Sequence, residues 1–215
     1  LMTEDFLATQ SKAGIDAFTI DGKIMGSAYR VSQVGIFYNK ALVDQAGVDV
    51  AAIQTWDDFL AAVQTVKDAG ITPIAVGGAD KWPLHFMWSY LAMRMAGQEG
   101  MAAAKAGEGE GFAGEAFVAA GEQFMRLIDL EPFQEGFETA TYPVASGYFG
   151  DGKAAFHVMG DWDIGTQAGE SESGEGLGDN LGFISFPAIP EGAGRATDTL
   201  GGLDGFVFSE NAPDE

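Results

Sequence analysis

Short apolar runs that fit buried strands recur along this chain, and helix-like segments lie between them. The runs are VGIFY at 34–38, ITPIAVGG at 71–78, AAFHVM at 154–159 and GFISF at 182–186. Each is bounded by glycine, proline or a polar turn, as a buried strand should be. The clearest helix follows Thr55, a good N-cap. Asp57 and Asp58 lie in its first turn, Phe59, Leu60, Val63 and Val66 share a stripe, and Gly70 supplies a left-handed stop. Asn39 can cap a shorter helix through Leu42, Val43 and Ala46 that Gly47 ends. Lys81-Trp82-Pro83 opens another, apolar on nearly every side and therefore expected to be buried. Residues 115–129 predict an amphipathic helix, and Val144 to Phe149 a further turn or two. Strands alternating with helices predict an α/β layered domain with helices packed on a mainly parallel sheet.

The flanking regions are less regular. Residues 4–18 are mildly helical, Asp21-Gly22 marks a turn, and Ile24 to Tyr38 reads as extended chain. The glycine-rich stretch 97–114 reads as a loose connection or a short helix. Residues 169–180 (GESESGEGLGDN) and 191–198 read as exposed loops, and Thr199 to Ser209 as extended chain. The first residues, LMTEDFLATQ, have no basic and then apolar leader, and the chain stops just past a strand-like run. The expectation is an internal fragment of a longer protein.

Composition removes whole classes of function. Across 215 residues, 11 Lys+Arg face 32 Asp+Glu, a formal charge of −21. Such a surface repels phosphate backbones and anionic lipid, so neither nucleic acid nor a membrane surface is an expected partner. No apolar run is long enough to span a bilayer, so no direct membrane insertion is expected. At 47% hydrophobic residues the chain can bury a core. It has no cysteine, which excludes disulfides, thiolate metal sites and cysteine nucleophiles.

Nucleophile-elbow, zincin and P-loop motifs are all missing. The tract GEGEGFAG follows no strand and carries two glutamates that would repel a pyrophosphate. Nothing in the sequence calls for a metal or a cofactor. Of the two histidines, His157 reads as a packing or surface residue, whereas His85 is more interesting because it closely follows Trp82. The segment GDWDIG places Asp161 and Asp163 on either side of Trp162, just past a strand. One reading is a capped helix start. Another is a weak acid/base pair for glycoside hydrolysis. A third is a sugar site, in which the indole offers a flat apolar face and the carboxylates accept hydrogen bonds from hydroxyls. Trp82, in a turn before Pro83, either faces a cleft or packs. Trp56 and Trp88 read as packing residues.

The string GKIMGSAYRVSQVGIFYNKALVDQAGV, the segment TWDDFLAAVQTVKDAGITPIAVGG, the Trp-Pro helix start DKWPLHFMWSYL, the strand FGDGKAAFHVMGDWDIG and the return segments GFISFPAIPEG and TLGGLDGFVFSENAPDE occur in that order. In this order they resemble the family 1 extracellular solute-binding proteins of ABC transporters, of the sugar-binding type. Met25, Ala28, Gln54 and Phe156 depart from the family's usual residues.

The resemblance implies a periplasmic-binding-protein-like α/β fold, with one lobe nearly complete and parts of a second. Residues 1–32 would belong to the first lobe, 33–184 to the second, and 185–215 would return to the first. It implies a non-enzymatic role: capture of a sugar or short oligosaccharide between two lobes, in the periplasm or outside the cell, for delivery to ABC transporter permease subunits. The ligand contacts it implies are Trp162 for stacking, Asp161 and Asp163 beside it, Trp82, and the crossover residues Tyr29, Arg30, Ser32 and Gln33. Gly202, Leu203 and Asp204 on the return segment complete the set. Asp204 reads equally well as a turn residue before Gly205. The competing functions are a glycoside hydrolase or lyase using Asp161 or Asp163, and a binder of the same fold for a non-sugar such as a polyamine, for which aromatic faces and carboxylates also suit.

Overall fold

The computed structural model describes residues 3–207 and 209. The chain divides into two compact units: a smaller one, up to Gln33 and from Gly201 on, and a larger one, Val34–Leu200.

In the smaller unit, two short helices, α1 (Glu4–Leu7) and α2 (Lys12–Ala17), start at Thr3 and Ser11, whose hydroxyls accept from backbone N–H groups of the first turn. The strands β1 (Thr19–Ile20) and β2 (Lys23–Ile24) pair across Asp21-Gly22. Both turn residues have positive φ, 49° and 74°, the backbone that a two-residue hairpin requires. The long strand β3 (Gly26–Asn39) follows. Its first half pairs antiparallel with the last strand of the chain (Gly201–Val207), from Gly26 opposite Val207 to Gln33 opposite Gly201.

The larger unit is built on the second half of β3. Asn39 caps α3 (Lys40–Ala46), its side chain accepting from the N–H groups of Ala41 and Leu42, and Gly47 ends the helix at φ 75°. Helix α4 (Trp56–Asp68) opens with a capping box in which the Thr55 hydroxyl accepts from the Asp58 N–H and the Asp58 carboxylate accepts from the Thr55 N–H. There follow β4 (Thr72–Ala75), α5 (Trp82–Lys105), α6 (Glu115–Ile128), α7 (Tyr142–Gly150), β5 (Ala154–Gly160), α8 (Asp163–Gly169), β6 (Leu181–Ile184) and β7 (Gly201–Val207). Glycine-rich residues 97–105, read from the sequence as loose or as a short helix, continue α5 past a break at Gly97, where φ is 67° and ψ 175°.

The strand order is β4-β5-β3-β6. β4 runs parallel to β5, while β3 runs antiparallel to β5, β6 and β7. The expected mainly parallel sheet is therefore a mixed one. The periodicity of an apolar run carries burial but not direction, so pattern alone could not show that β3 runs against its neighbours. β5 is buried at every position, in keeping with a sequence that is apolar except at His157.

An aromatic core ties helices to sheet. Phe186 stacks between Tyr90 (4.4 Å, planes 1° apart) and Trp56 (5.3 Å), and Phe59 meets Phe156 edge-on. Trp88, expected in the core, is half-buried against Phe117. The segment 185–200, expected to return to the first lobe, packs in the larger unit. Its anchor is the fully buried Arg94 of α5. The guanidinium donates to the carbonyls of Phe186, Pro187, Ala196 and Asp198 at 2.8–3.2 Å.

Candidate functional site

Because β4 and β5 are parallel, their C-terminal ends share one edge of the sheet, the edge at which open α/β sheets receive ligands. Both strands lead from there into a tryptophan. After β4 the chain turns through Asp80 and Lys81, a non-glycine residue at φ 64°, and enters α5 at Trp82. After β5 it turns at Asp161 and Trp162 and enters α8.

The two indoles belong to one cluster of half-buried rings. Trp82 meets Phe86 edge-on at 5.5 Å and Tyr142 at 4.9 Å, and Phe86 lies 6.0 Å from Trp162. Asp80 ties two of the bearing loops together: its carboxylate accepts from the Tyr142 N–H at 2.6 Å, and its carbonyl accepts from the Trp82 N–H at 2.7 Å. Exposed His85 leans on Phe86 at 4.7 Å and donates from Nδ1 to the Trp82 carbonyl. Trp162 packs against both apolar clusters of the unit. Its six-membered ring lies so close to Gly160 that a Cβ there would sit 2.1–2.4 Å from Cζ3, Cη2 and Cε3.

The two acids beside Trp162 part company. Asp161 is half-buried next to the ring. Asp163, expected to accept ligand hydroxyls, is turned inward, its side chain only 1% exposed. Its Oδ1 accepts from the Ser146 hydroxyl at 2.6 Å, and its Oδ2 lies 3.5 Å from Nε2 of His157, itself buried in β5. The physical reason is that α7 packs on α8 and presents Ser146 beneath that turn. The inward position also removes Asp163 as the second acid of a hydrolase.

The remaining candidates lie in the smaller unit. Tyr29 is exposed and stacks on Phe206 at 4.8 Å. Arg30 is half-buried opposite Asp204, Val31 faces Leu203, Ser32 faces Gly202, and Gln33 faces Gly201. Ser32 is buried and its Oγ has no hydrogen-bond partner among the described residues. Gln33 and Gly202 are exposed and Leu203 is half-buried. Asp204 sits within β7 and not in a turn, because cross-strand pairing with β3 keeps that stretch extended. Sequence reasoning missed Phe86, Tyr142 and Asp80. Phe86 is hidden in a helix that is apolar all round, while the Tyr-Pro helix start at 142–143 repeats the Trp-Pro pattern at 82–83 and could have been noticed.

Residues 9–215 match the family model described as bacterial extracellular solute-binding protein. The chain belongs to that family, whose members bind solutes rather than transform them. An arabinooligosaccharide-binding protein of Halalkalibacterium halodurans is 34% identical over 79 residues, 36% of this chain and 18% of that protein. An uncharacterised ABC transporter extracellular-binding protein of Pyrococcus horikoshii is 28% identical over 134 residues, 59% of this chain and 28% of that protein. Among solved structures, one from work on xylan utilization by Caldanaerobius polysaccharolyticus superposes with a TM-score of 0.86 at 27% identity, covering 95% of this chain and 52% of that one. A chitin oligosaccharide binding protein gives 0.80 at 28% identity, over 93% and 49%. The chain thus spans about half the length of these structures and less than a third of the two relatives. The periplasmic-binding-protein-like α/β fold expected from the sequence is the fold these structures share with it. No helix among the described residues is long and apolar enough to cross a membrane.

Proposed function

We propose that this chain forms part of a solute-binding protein that captures a sugar or short oligosaccharide for an ABC importer. Capture would occur in the periplasm or at the cell surface, and the ligand would be handed to permease subunits. The observation that carries the reading is the half-buried ring cluster of Trp82, Phe86, Tyr142 and Trp162 at the C-terminal edge of β4 and β5. Sugar rings present flat patches of C–H groups that lie on aromatic faces, and they need no covalent chemistry to be held. Asp161, beside the indole, supplies a carboxylate for hydroxyl orientation. The names of the relatives point to oligosaccharides as the ligand class.

Calorimetric titration of the protein with arabinan-, xylan- and chitin-derived oligosaccharides, with spermidine as a competitor, tests this. The expected result is saturable sugar binding without product formation, weakened at least ~tenfold by Trp162→Ala. Binding of spermidine and no sugar would reject the saccharide reading. Unchanged affinity in Trp162→Ala would remove the indole from the site.

A further inference from the structure

Beneath the Trp162 turn lies a pair of buried titratable groups that stacking does not use. His157 and Asp163 each have side chains 1% exposed. The imidazole Nδ1 lies 2.7 Å from the Ala75 carbonyl of β4. A carbonyl oxygen has no proton to give, so Nδ1 must carry one. Neutral imidazole would then present a bare Nε2 to Asp163 Oδ2, 3.5 Å away, and neither atom has another partner among the described residues. Two acceptors facing each other out of contact with water are unfavourable, whereas a proton between them satisfies both.

The groups packed around the pair come mainly from α7. From α7, the Ser146 hydroxyl already donates to the other carboxylate oxygen at 2.6 Å, and the Phe149 ring lies 5.4 Å from the imidazole. The Tyr142 phenol, also on α7, is pushed up to about 12 chiefly by burial, with the Thr166 and Ser146 hydroxyls opposing and Asp163, by its charge and as a hydrogen-bonding neighbour, adding to the rise. It therefore stays neutral and faces Asp163 as a further donor that does not supply the bare imidazole nitrogen with a proton. Among the described residues, Asp163 pairs with no lysine or arginine. We infer that His157 and Asp163 hold one shared proton, and that this buried pair positions the turn carrying Trp162. The positioning half of the inference rests on the saccharide reading above; the proton does not. His157 touches no ligand in this scheme. It acts through Asp163, the first residue of α8 and the neighbour of Trp162.

Two measurements test it. Long-range nitrogen spectra of the imidazole, with carbon spectra of the Asp163 carboxyl, need no sugar. The chain has two histidines, so His85→Gln assigns the signals. At neutral pH the expected result is either a protonated Nε2 or a protonated Asp163 carboxyl. A bare Nε2 beside an ionised carboxylate overturns the shared proton. The second measurement follows sugar affinity as the pH is raised until that proton signal disappears. Wild-type affinity is expected to fall about tenfold once the turn loses this support. Asp163→Asn is the discriminating variant, because its amide can donate to bare Nε2 while its oxygen accepts from Ser146. It should bind at neutral pH as the wild type does and lose the alkaline fall, whereas Asp163→Ala should bind weakly throughout. An Asp163→Asn protein that still shows the alkaline fall overturns the positioning role. If no sugar binds at any pH, the saccharide reading fails and the positioning role falls with it, while the spectra still decide the proton.

Discussion

Gly160→Ala tests the link between the strand end and the site. Gly160 is not among the residues with positive φ, so its backbone would accept a side chain; the indole is what excludes one. A Cβ would lie 2.1, 2.2 and 2.4 Å from Cζ3, Cη2 and Cε3 of Trp162. Nonbonded carbons settle near ~3.5 Å, so the ring must retreat by roughly 1.4 Å. It cannot do so freely, because it packs against both apolar clusters and lies near Phe86. The expected cost is about 1–3 kcal/mol of stability, the usual range for overpacking. A ring displaced by that distance should also lose at least ~tenfold in sugar affinity, about 1.4 kcal/mol. Thermal melting, indole emission and calorimetry read the three consequences. A double-mutant cycle isolates the cause, since Gly160→Ala in a Trp162→Ala background should cost almost nothing in stability. Wild-type melting, emission and affinity in Gly160→Ala would refute the reasoning, as would an undiminished cost once the indole is gone.

Arg94→Met should lower stability by at least about 3 kcal/mol, because the carbonyls of Phe186, Pro187, Ala196 and Asp198 lose their shared buried donor. Arg94→Lys should recover little of this, since a point charge cannot span four acceptors; an unchanged denaturant midpoint in either variant would contradict the clasp. At acid pH, Asp198 should keep its charge below the usual carboxylate range, because the hydrogen bond from Arg195 holds its carboxyl down. Its contribution is therefore complete above the unfolded-state value and lost as the pH falls through the lower folded one. Urea midpoints measured across the acid range should fall less steeply in Asp198→Asn.

Local signals were legible in this sequence wherever one residue's chemistry decides the outcome. Asn39, Gly47, Thr55 and the Asp21-Gly22 turn all do what their side chains or backbone freedom dictate within four residues. Trp82 and Trp162 could be singled out because each follows a strand and precedes a helix. What escaped depends on partners distant in the chain. β3 lies beside β5, about 120 residues later, and no feature of VGIFY says which way that neighbour runs. Residues 191–198 look like a solvated loop, yet Gly192 and Gly194 press against the backbone of α5 around Arg94. Asp161 and Asp163 look equivalent on either side of one indole, and only the packing of α7 on α8 turns the second inward.

Trp162 shows why affinity and stability are hard to separate in a site of this kind. The ring is half-buried and closes both apolar clusters of the larger unit, and in the proposed site it would also carry the sugar. A rigid stacking face needs that inward grip, because a tryptophan free to rotate would lose rotamer entropy each time a sugar bound. The grip in turn needs a bare backbone at Gly160 below the ring and Phe86 at its side. Asp163 completes the support from within: one oxygen held by Ser146, the other facing His157, it anchors the residue next to the indole to α7 and β5. The carboxylate that sequence placed at the ligand thus lies inward of the ring, tying the turn that carries it to α7 and β5.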